Sequence, residues 1–314
     1  MYCKHMKYRR INKENLVVAG VIEALLLVAL CAIIISLIQL SYIPQIMKQR
    51  EAEHMDEVSN QFSYLKNMID IQALAGSMGT DVPLAHVPMM TQITLGSRNL
   101  PYFVTAPSYG ELSIKDMGAK IDANPPIQDS WHVYLSGIPF SSIVYHAYNM
   151  YFVEQTYILE GGGIILSQSS GDSTMRADPS ISVEDVGNKI EMKFYLPNII
   201  GIPGKNSTNG YGGCFIRTNY STYHPYLSDQ IPIDNYIIIY SNHLTAWNET
   251  LNRLFRDVMY DAGDKPSPEN KTVNISITQY EGKNVVKITP LKHPINLELK
   301  VVDISVQIGP GWIT

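Results

Sequence analysis

The sequence predicts an α+β protein that is mainly β: a long N-terminal helix followed by an antiparallel β-sandwich with one packed helix. Three observations predict it. Leu16 to Tyr42 is a run of mostly apolar residues, and Gln45 to Ala75 contains no Pro or Gly. From about residue 80 onward, apolar and polar residues alternate with period two between turn signals.

The composition excludes several classes of protein. The 314 residues are 45% hydrophobic and 17% charged, which excludes a disordered chain. A net charge of −5 gives no reason to expect a nucleic-acid partner. The three cysteines, Cys3, Cys31 and Cys214, are too few for a disulfide framework and lack a Cys-x-x-Cys spacing for zinc. We expect no metal and no cofactor.

Residues 16–43 are predicted to form a transmembrane helix, because the run is long enough for one crossing of the lipid bilayer. The apolar run is longer than that of a signal peptide, which has about 7–15 apolar residues, and no Ala-x-Ala-like cleavage site follows it. A retained anchor is therefore favoured over a cleaved signal. The predicted domains are a cytoplasmic basic leader (1–15), the transmembrane helix (16–43), a helical stalk (44–79) and a β-sandwich ectodomain (80–314).

The charges that flank the helix predict its orientation, because basic residues stay on the cytoplasmic side. Five basic residues precede the helix and two follow closely: Lys4, Lys7, Arg9, Arg10 and Lys13 before it, Lys48 and Arg50 after it. We therefore expect a single-pass protein of the cell membrane, with a cytoplasmic N-terminus and an extracellular C-terminal domain.

Two residues of the helix are singled out for a role in helix assembly, Glu23 and Pro44. Glu23 is an interfacial carboxylate if hydrocarbon begins near Ala24. If hydrocarbon begins near Leu16, Glu23 is buried at a cost of about 2.5–3.5 kcal/mol or more and needs a partner. Pro44 has no N–H to bond back to Leu40, so it is predicted to kink or loosen the helix.

The stalk carries a narrow apolar stripe, Val58, Phe62, Leu65 and Ile69, at helical spacing. Such a helix needs a surface to pack on, either its own domain or neighbouring copies. The acidic residues between Glu51 and Glu57 form either a cation site or, more commonly, a solvated face.

The β-strands are predicted from period-two runs, and the hairpin turn at Gly161–Gly163 is predicted from its glycines. The predicted strands are Met89–Leu95, Tyr102–Thr105, Glu111–Lys115, Trp131–Leu135, Ser142–Ala147, Gln155–Leu159, Ile164–Ser167, Glu191–Leu196, Tyr236–Tyr240, Lys271–Thr278 and Asn296–Ile308. In the last of these, the inward set changes phase between Val301 and Val302, which predicts a β-bulge or a bend between two sheets. A helix between Leu244 and Val258 is predicted to be capped by Ser241 or Asn242.

No catalytic motif is present in the sequence. His132 and His146 are predicted to lie in strands. Histidines of this kind are more often hydrogen-bonded core or surface residues than metal ligands. Cys214 has no base near it in the sequence. We expect that the protein is not an enzyme. The less favoured alternative, an anchored hydrolase, requires that Cys214 or a histidine pair lies in a cleft.

Five sequons for N-glycosylation all follow residue 200, on the side predicted to be outside. Their asparagines are Asn206, Asn219, Asn248, Asn270 and Asn274. Asn270 and Asn274 are predicted to share the outward face of one strand. Asparagine, serine and threonine are also common in turns and on edge strands, which explains the same pattern without glycosylation.

The layout of the chain resembles that of archaeal pilin-like (type IV pilin-like) surface proteins of an uncharacterised family. The resemblance covers a basic N-terminus, one hydrophobic helix, a helical stalk and a β-rich domain. Within that domain it is carried by Leu95-Gly96 with Pro101 and Pro107-Ser-Tyr-Gly-Glu-Leu-Ser113, by Tyr151-x-x-x-Gln155-Thr-Tyr157-x-x-Glu160-x-Gly162-x-Ile164-Ile165, and by the Trp247 helix.

The resemblance implies a non-enzymatic envelope protein that assembles with copies of itself or with other pilin-like subunits through the hydrophobic helix. It also implies that Glu23 neutralises a neighbouring amine after a cut near Ala19 or Gly20. The sequence departs from the pilin pattern there, because Lys13 lies several residues upstream of the small residues. The alternative is a monomeric anchored module that binds glycan or a surface layer, for which tyrosine-rich loops such as Tyr220–Tyr226 are predicted to offer stacking faces.

Overall fold

The computed structural model describes residues 13–78, 86–98, 106–124, 135–169, 171–260, 267 and 270–309. The chain divides into two compact units, residues 1–49 and 50–314. The predicted strand Tyr102–Thr105, nearly all of Trp131–Leu135, His132 and most of the basic leader lie outside the described residues.

The N-terminal helical region contains three consecutive elements, α1 (Lys13–Leu37), a π-helical segment (Ile38–Tyr42) and α2 (Ile43–Ser77). In the π-helical segment, the N–H of Ile43 donates to the carbonyl of Ile38, five residues back. The segment ends two residues before Pro44, whose ring nitrogen cannot donate to a preceding carbonyl. The loosening predicted at Pro44 therefore takes the form of a π-helical turn.

Within the described residues, the second unit contains most of α2, fourteen strands, one short α-helix, α3 (Leu244–Leu254), and a 3-10 turn (Arg256–Val258). The strands are β1 (Met89–Thr94), β2 (Tyr109–Asn124), β3 (Leu135–Tyr148), β4 (Gln155–Glu160), β5 (Gly163–Gln168), β6 (Thr174–Ala177), β7 (Ser180–Asp185), β8 (Ile190–Gly201), β9 (Ser207–Gly210), β10 (Gly213–Ile233), β11 (Tyr236–Tyr240), β12 (Val273–Tyr280), β13 (Lys283–Pro290) and β14 (Ile295–Ile308). The fold is a long N-terminal apolar helix followed by two curled, mostly antiparallel sheets, as the sequence predicts.

The strands form two sheets. Sheet A has the order β1-β10-β14-β8-β7, and sheet B has the order β12-β13-β11-β2-β3-β4-β5-β6, with β9 also paired to β2. The pair β8–β14 is parallel, which the prediction of an antiparallel sandwich did not include. The turn at Gly161 and Gly162, both at positive φ, joins β4 to β5 as predicted.

Two large hydrophobic cores and a small third cluster lie in the described part of the second unit. The sandwich core joins α3 to both sheets and contains Phe140, Phe194, Trp247, Val286 and Leu297. The helix core joins α2 to both sheets and contains Phe62, Leu65, Tyr145, Ile216 and Ile304. All four residues of the predicted stalk stripe are fully buried in the helix core, so α2 packs on the chain's own β-domain.

Three local predictions are wrong. The N-cap of α3 is His243 rather than Ser241 or Asn242, although Ser241 Oγ accepts the backbone N–H of His243. Asn270 precedes β12 and so does not share a strand face with Asn274. The Tyr220–Tyr226 segment is part of β10 and is not a loop.

Candidate functional site

The apolar part of the N-terminal helix is the first candidate site. Among the described residues, the helical stretch that begins at Gly20 is the one helix long and apolar enough to cross a membrane. From Val21 to Leu37 its apolar side chains are exposed, and Glu23 is exposed among them. A contiguous exposed apolar surface of this kind marks contact with a membrane or with another protein.

Two of the residues considered for catalysis, Cys214 and His146, lie within the described residues, and His132 does not. Cys214 is buried in the helix core, and burial raises the pKa of its thiol, which disfavours the nucleophilic thiolate. His146 hydrogen-bonds Thr156 Oγ1 through Nδ1, and its ring packs edge-on against Tyr148. His146 therefore has the satisfied surroundings that its sequence pattern favours.

The five sequon asparagines differ in their surroundings. Asn219 is exposed on β10, opposite Ser305, and Ser221 of the same sequon is also exposed. Asn206, Asn248, Asn270 and Asn274 are half-buried. The sequon hydroxyls Thr250 and Thr272 are buried, and Thr272 Oγ1 donates to the carbonyl of Val258.

The acidic residues at the start of α2 are not equivalent. Glu51 is fully buried, and its carboxylate accepts the backbone N–H groups of Met150, Tyr151 and Phe152 in the β3–β4 loop. Glu53 and Glu57 are exposed. Of the two interpretations given for this cluster, the solvated face therefore describes Glu53 and Glu57, whereas Glu51 anchors a loop.

A polar cleft of about 410 Å³ lies between α2 and the end of β1. The α2 side is formed by residues spaced i, i+3, i+4 and i+7, which share one face of a helix. The β1 side is formed by alternate residues, which share one face of an extended chain. The lining residues are Arg50, Glu53, His54 and Glu57 from α2, and Gln92, Thr94, Gly96 and Arg98 from β1 and the residues after it.

Side chains of α2 satisfy the backbone groups of Thr94 at the outer edge of β1 in this cleft. His54 Nε2 lies 2.9 Å from the carbonyl oxygen of Thr94, and Gln61 Oε1 accepts the Thr94 N–H at 2.8 Å. Thr94 Oγ1 donates to Glu57 Oε1. Helix side chains thus occupy the backbone groups that a further strand would otherwise pair, which protects a sheet edge from aggregation.

His54 is the buried group of the cleft. Burial lowers the pKa of its imidazole, against opposing hydrogen-bonding and electrostatic effects of Thr94, Glu57 and Glu51. The neutral ring donates from Nε2 to the Thr94 carbonyl, which leaves Nδ1 as an acceptor. Within the described residues, Nδ1 has no hydrogen-bond partner.

The sequence pattern does not predict this cleft. The acidic residues of α2 have the pattern of an ordinary helix face and Met89–Leu95 has that of an ordinary strand. The available signal was the spacing Arg50-x-x-Glu53-His54-x-x-Glu57, which mixes both charges with a histidine on one helix face.

Comparisons of this chain with protein-family models, with curated proteins and with solved structures found no match.

Proposed function

We propose that the protein is a non-enzymatic, single-pass component of the cell envelope with a pilin-like layout, which assembles through its N-terminal apolar helix. The observation that carries the proposal is the contrast between the two parts of the helical region. The stripe of α2 is buried in the β-domain, whereas the apolar side chains from Val21 to Leu37 are exposed.

This contrast supports an assembly surface on the exposed apolar part of the helix and not on the stripe of α2. Because Val58, Phe62, Leu65 and Ile69 are already buried within the second unit, they are not available for contacts between copies. Lipid and the helices of neighbouring subunits are the partners that match the exposed apolar side chains. Glu23 lies on this exposed part and would be the charged group for which an assembled helix provides a partner.

The proposed orientation places the N-terminus in the cytoplasm and the β-domain outside the cell. It is supported by the basic residues before Leu16. The exposed sequon at Asn219 is consistent with an extracellular β-domain.

The proposal is tested with Cys31, which is exposed on α1. In a Cys3→Ser background, native membranes are oxidised with copper phenanthroline and the products are separated without reductant. Bundled helices would give dimers linked through Cys31, and a further Cys31→Ser substitution would remove them. Cys214 is buried and serves as an internal control for the accessibility of thiols.

The same experiment separates assembly from the alternative of a lone anchored module. Copies that do not contact one another would stay monomeric after oxidation. This result should be the same at native expression levels and in several membrane preparations. Immuno-electron microscopy of native envelopes with antibody against the β-domain then distinguishes filaments or clusters from scattered single copies.

A further inference from the structure

The cleft between α2 and β1 has the size and chemistry of a binding site, and this goes beyond the proposed role in assembly. Its volume, about 410 Å³, lies in the range of about 300–1,000 Å³ typical of small-molecule sites. Among the described residues that line it, every one except Gly96 has a polar side chain. A ligand with a large apolar body therefore does not fit this site.

Two arginines define the charge that the ligand carries. Arg50 and Arg98 line the cleft, and within the part of the chain that the structure describes neither guanidinium has a hydrogen bond or an ion pair. Arginine presents five donors in a planar fork that matches carboxylate and phosphate groups. Two unpaired guanidinium groups in one cleft point to a ligand with an oxyanion.

The remaining groups exclude a bare inorganic anion as the preferred ligand. Glu53 and Glu57 bring two carboxylates into the same cleft, so its formal charge is balanced and a small dianion gains little from it. Carboxylates accept hydrogen bonds from hydroxyl groups. Glu57 Oε1 already accepts from Gln61 and Thr94, which leaves Oε2 as an acceptor. The amide of Gln92, which is exposed, can both donate and accept.

We propose that this cleft binds an acidic saccharide, whose carboxylate, sulfate or phosphate group pairs with Arg50 and Arg98 while its hydroxyl groups donate to the acceptors of the cleft. A polyhydroxylated anion matches the two unpaired donors and the several acceptors at once. The site needs neither assembly nor a particular orientation in the membrane, so its test is independent of the proposed function.

The test uses the purified full-length chain in detergent micelles and ligand-observed NMR titration. The probes are glucuronate and glucose 6-phosphate, with glucose and inorganic phosphate as partial ligands. We expect both acidic sugars to bind, and each partial ligand to bind at least about tenfold more weakly, since a tenfold change corresponds to the loss of about one charge-assisted hydrogen bond.

The arginines are tested in the double variant Arg50→Gln/Arg98→Gln. Because neither side chain has a partner in the described structure, the variant should fold, and its binding of both acidic sugars should fall at least about tenfold. The matched control is Arg176→Gln/Arg256→Gln, which removes two exposed arginines outside the cleft and should bind like the wild type.

Three outcomes would overturn the proposal. The first is no binding of either acidic sugar at about 10 mM, where even a weak site with a dissociation constant of about 1 mM would be about nine-tenths occupied. The second is an equal loss of binding in the cleft variant and the control variant. The third is inorganic phosphate binding as tightly as glucose 6-phosphate, which would show that the sugar hydroxyls contribute nothing.

Discussion

The Glu51 carboxylate accepts the backbone N–H of Phe152 at 2.6 Å, across 101 residues of chain. The same carboxylate accepts the N–H groups of Met150 and Tyr151, so three successive amides converge on one buried charge. Consecutive amides that face one anion form a strong site for it, and the anion here is a side chain of α2. The contact fixes the β3–β4 loop against the helix.

We predict that Glu51→Ala lowers the free energy of unfolding by about 2–4 kcal/mol, because three buried amides lose a charged acceptor. Asp56→Ala is the matched control, since Asp56 is an exposed carboxylate five residues away on the same helix, and its effect should stay within about 0.5 kcal/mol. Chemical denaturation of both variants in detergent measures the difference. Equal stability of the two variants would show that the loop is held by other contacts.

Phe62 provides the corresponding test of the helix core. Its ring is fully buried, with its centroid 5.7 Å from that of Tyr157 and 6.4 Å from that of Tyr145. Truncation leaves a cavity among three elements, so Phe62→Ala should cost about 3–5 kcal/mol in unfolding free energy. The control is Tyr64→Ala, which removes an exposed ring from the same helix. A small effect at Phe62 would mean that α2 does not pack on the β-domain in solution.

The stripe on α2 shows what the sequence could predict. Helical spacing identified Val58, Phe62, Leu65 and Ile69 as a packing face, but it left open whether the partner was the same chain or another copy. Spacing alone carries no information about the partner, because any apolar surface of matching shape suits such a stripe. The answer depends on the tertiary structure, in which both sheets contribute to the helix core.

The phase change between Val301 and Val302 is present in the structure, and it does not come from a bulge in β14. The pairing of β14 with β8 continues without a shift from Ile295 to Val306. Val301 belongs to the sandwich core and Val302 to the helix core, so the strand uses both of its faces. A bulge does occur nearby, but in the partner strand β10, between Tyr220 and Thr222.

Strand β10 was missed because its sequence lacks the usual strand pattern. It spans Gly213–Ile233, contains two prolines and several polar residues, and departs from regular pairing at three places. Its tyrosines were interpreted as loop residues for that reason. Ladder pairing with β14 and β1, which periodicity cannot detect, places this segment inside the sheet.

The free energy of unfolding should depend on pH because of the protonation of His54. Burial lowers the pKa of this imidazole below its ordinary value of 6.5, so the unfolded chain binds a proton more readily than the folded one. The unfolding free energy should therefore fall as the pH is lowered through 6.5, and level off below the folded-state pKa. His54→Gln, which keeps a donor for the Thr94 carbonyl, should show a weaker dependence between pH 7 and pH 5. His86→Gln, at an exposed histidine, should retain the full dependence of the wild type.

Among the five sequons, Asn219 should carry glycan first if transfer acts on the folded protein. Its amide and the hydroxyl of Ser221 are both exposed, whereas Thr250 and Thr272 of two other sequons are buried. Glycopeptide mass spectrometry of protein from native membranes gives the occupancy of each site. Asn219→Gln should remove the main modified species, and Asn248→Gln should leave it. Dominant modification at Asn248 would instead require transfer before folding.

The orientation in the membrane is tested with cleavable tags. A short neutral tag with a site for a specific protease is placed at either end of the full chain, and intact cells are treated with the protease. Basic residues resist translocation, so the five that precede Leu16 should hold the N-terminal tag inside, where it is protected. The C-terminal tag should be removed from intact cells, because it follows the β-domain. Protection of the C-terminal tag until the cells are lysed would reverse the orientation and remove every proposed role at the surface. The N-terminal tag also tests the anchor, since a retained helix keeps this tag on the same molecule as the β-domain, whereas a cleaved signal or leader separates them.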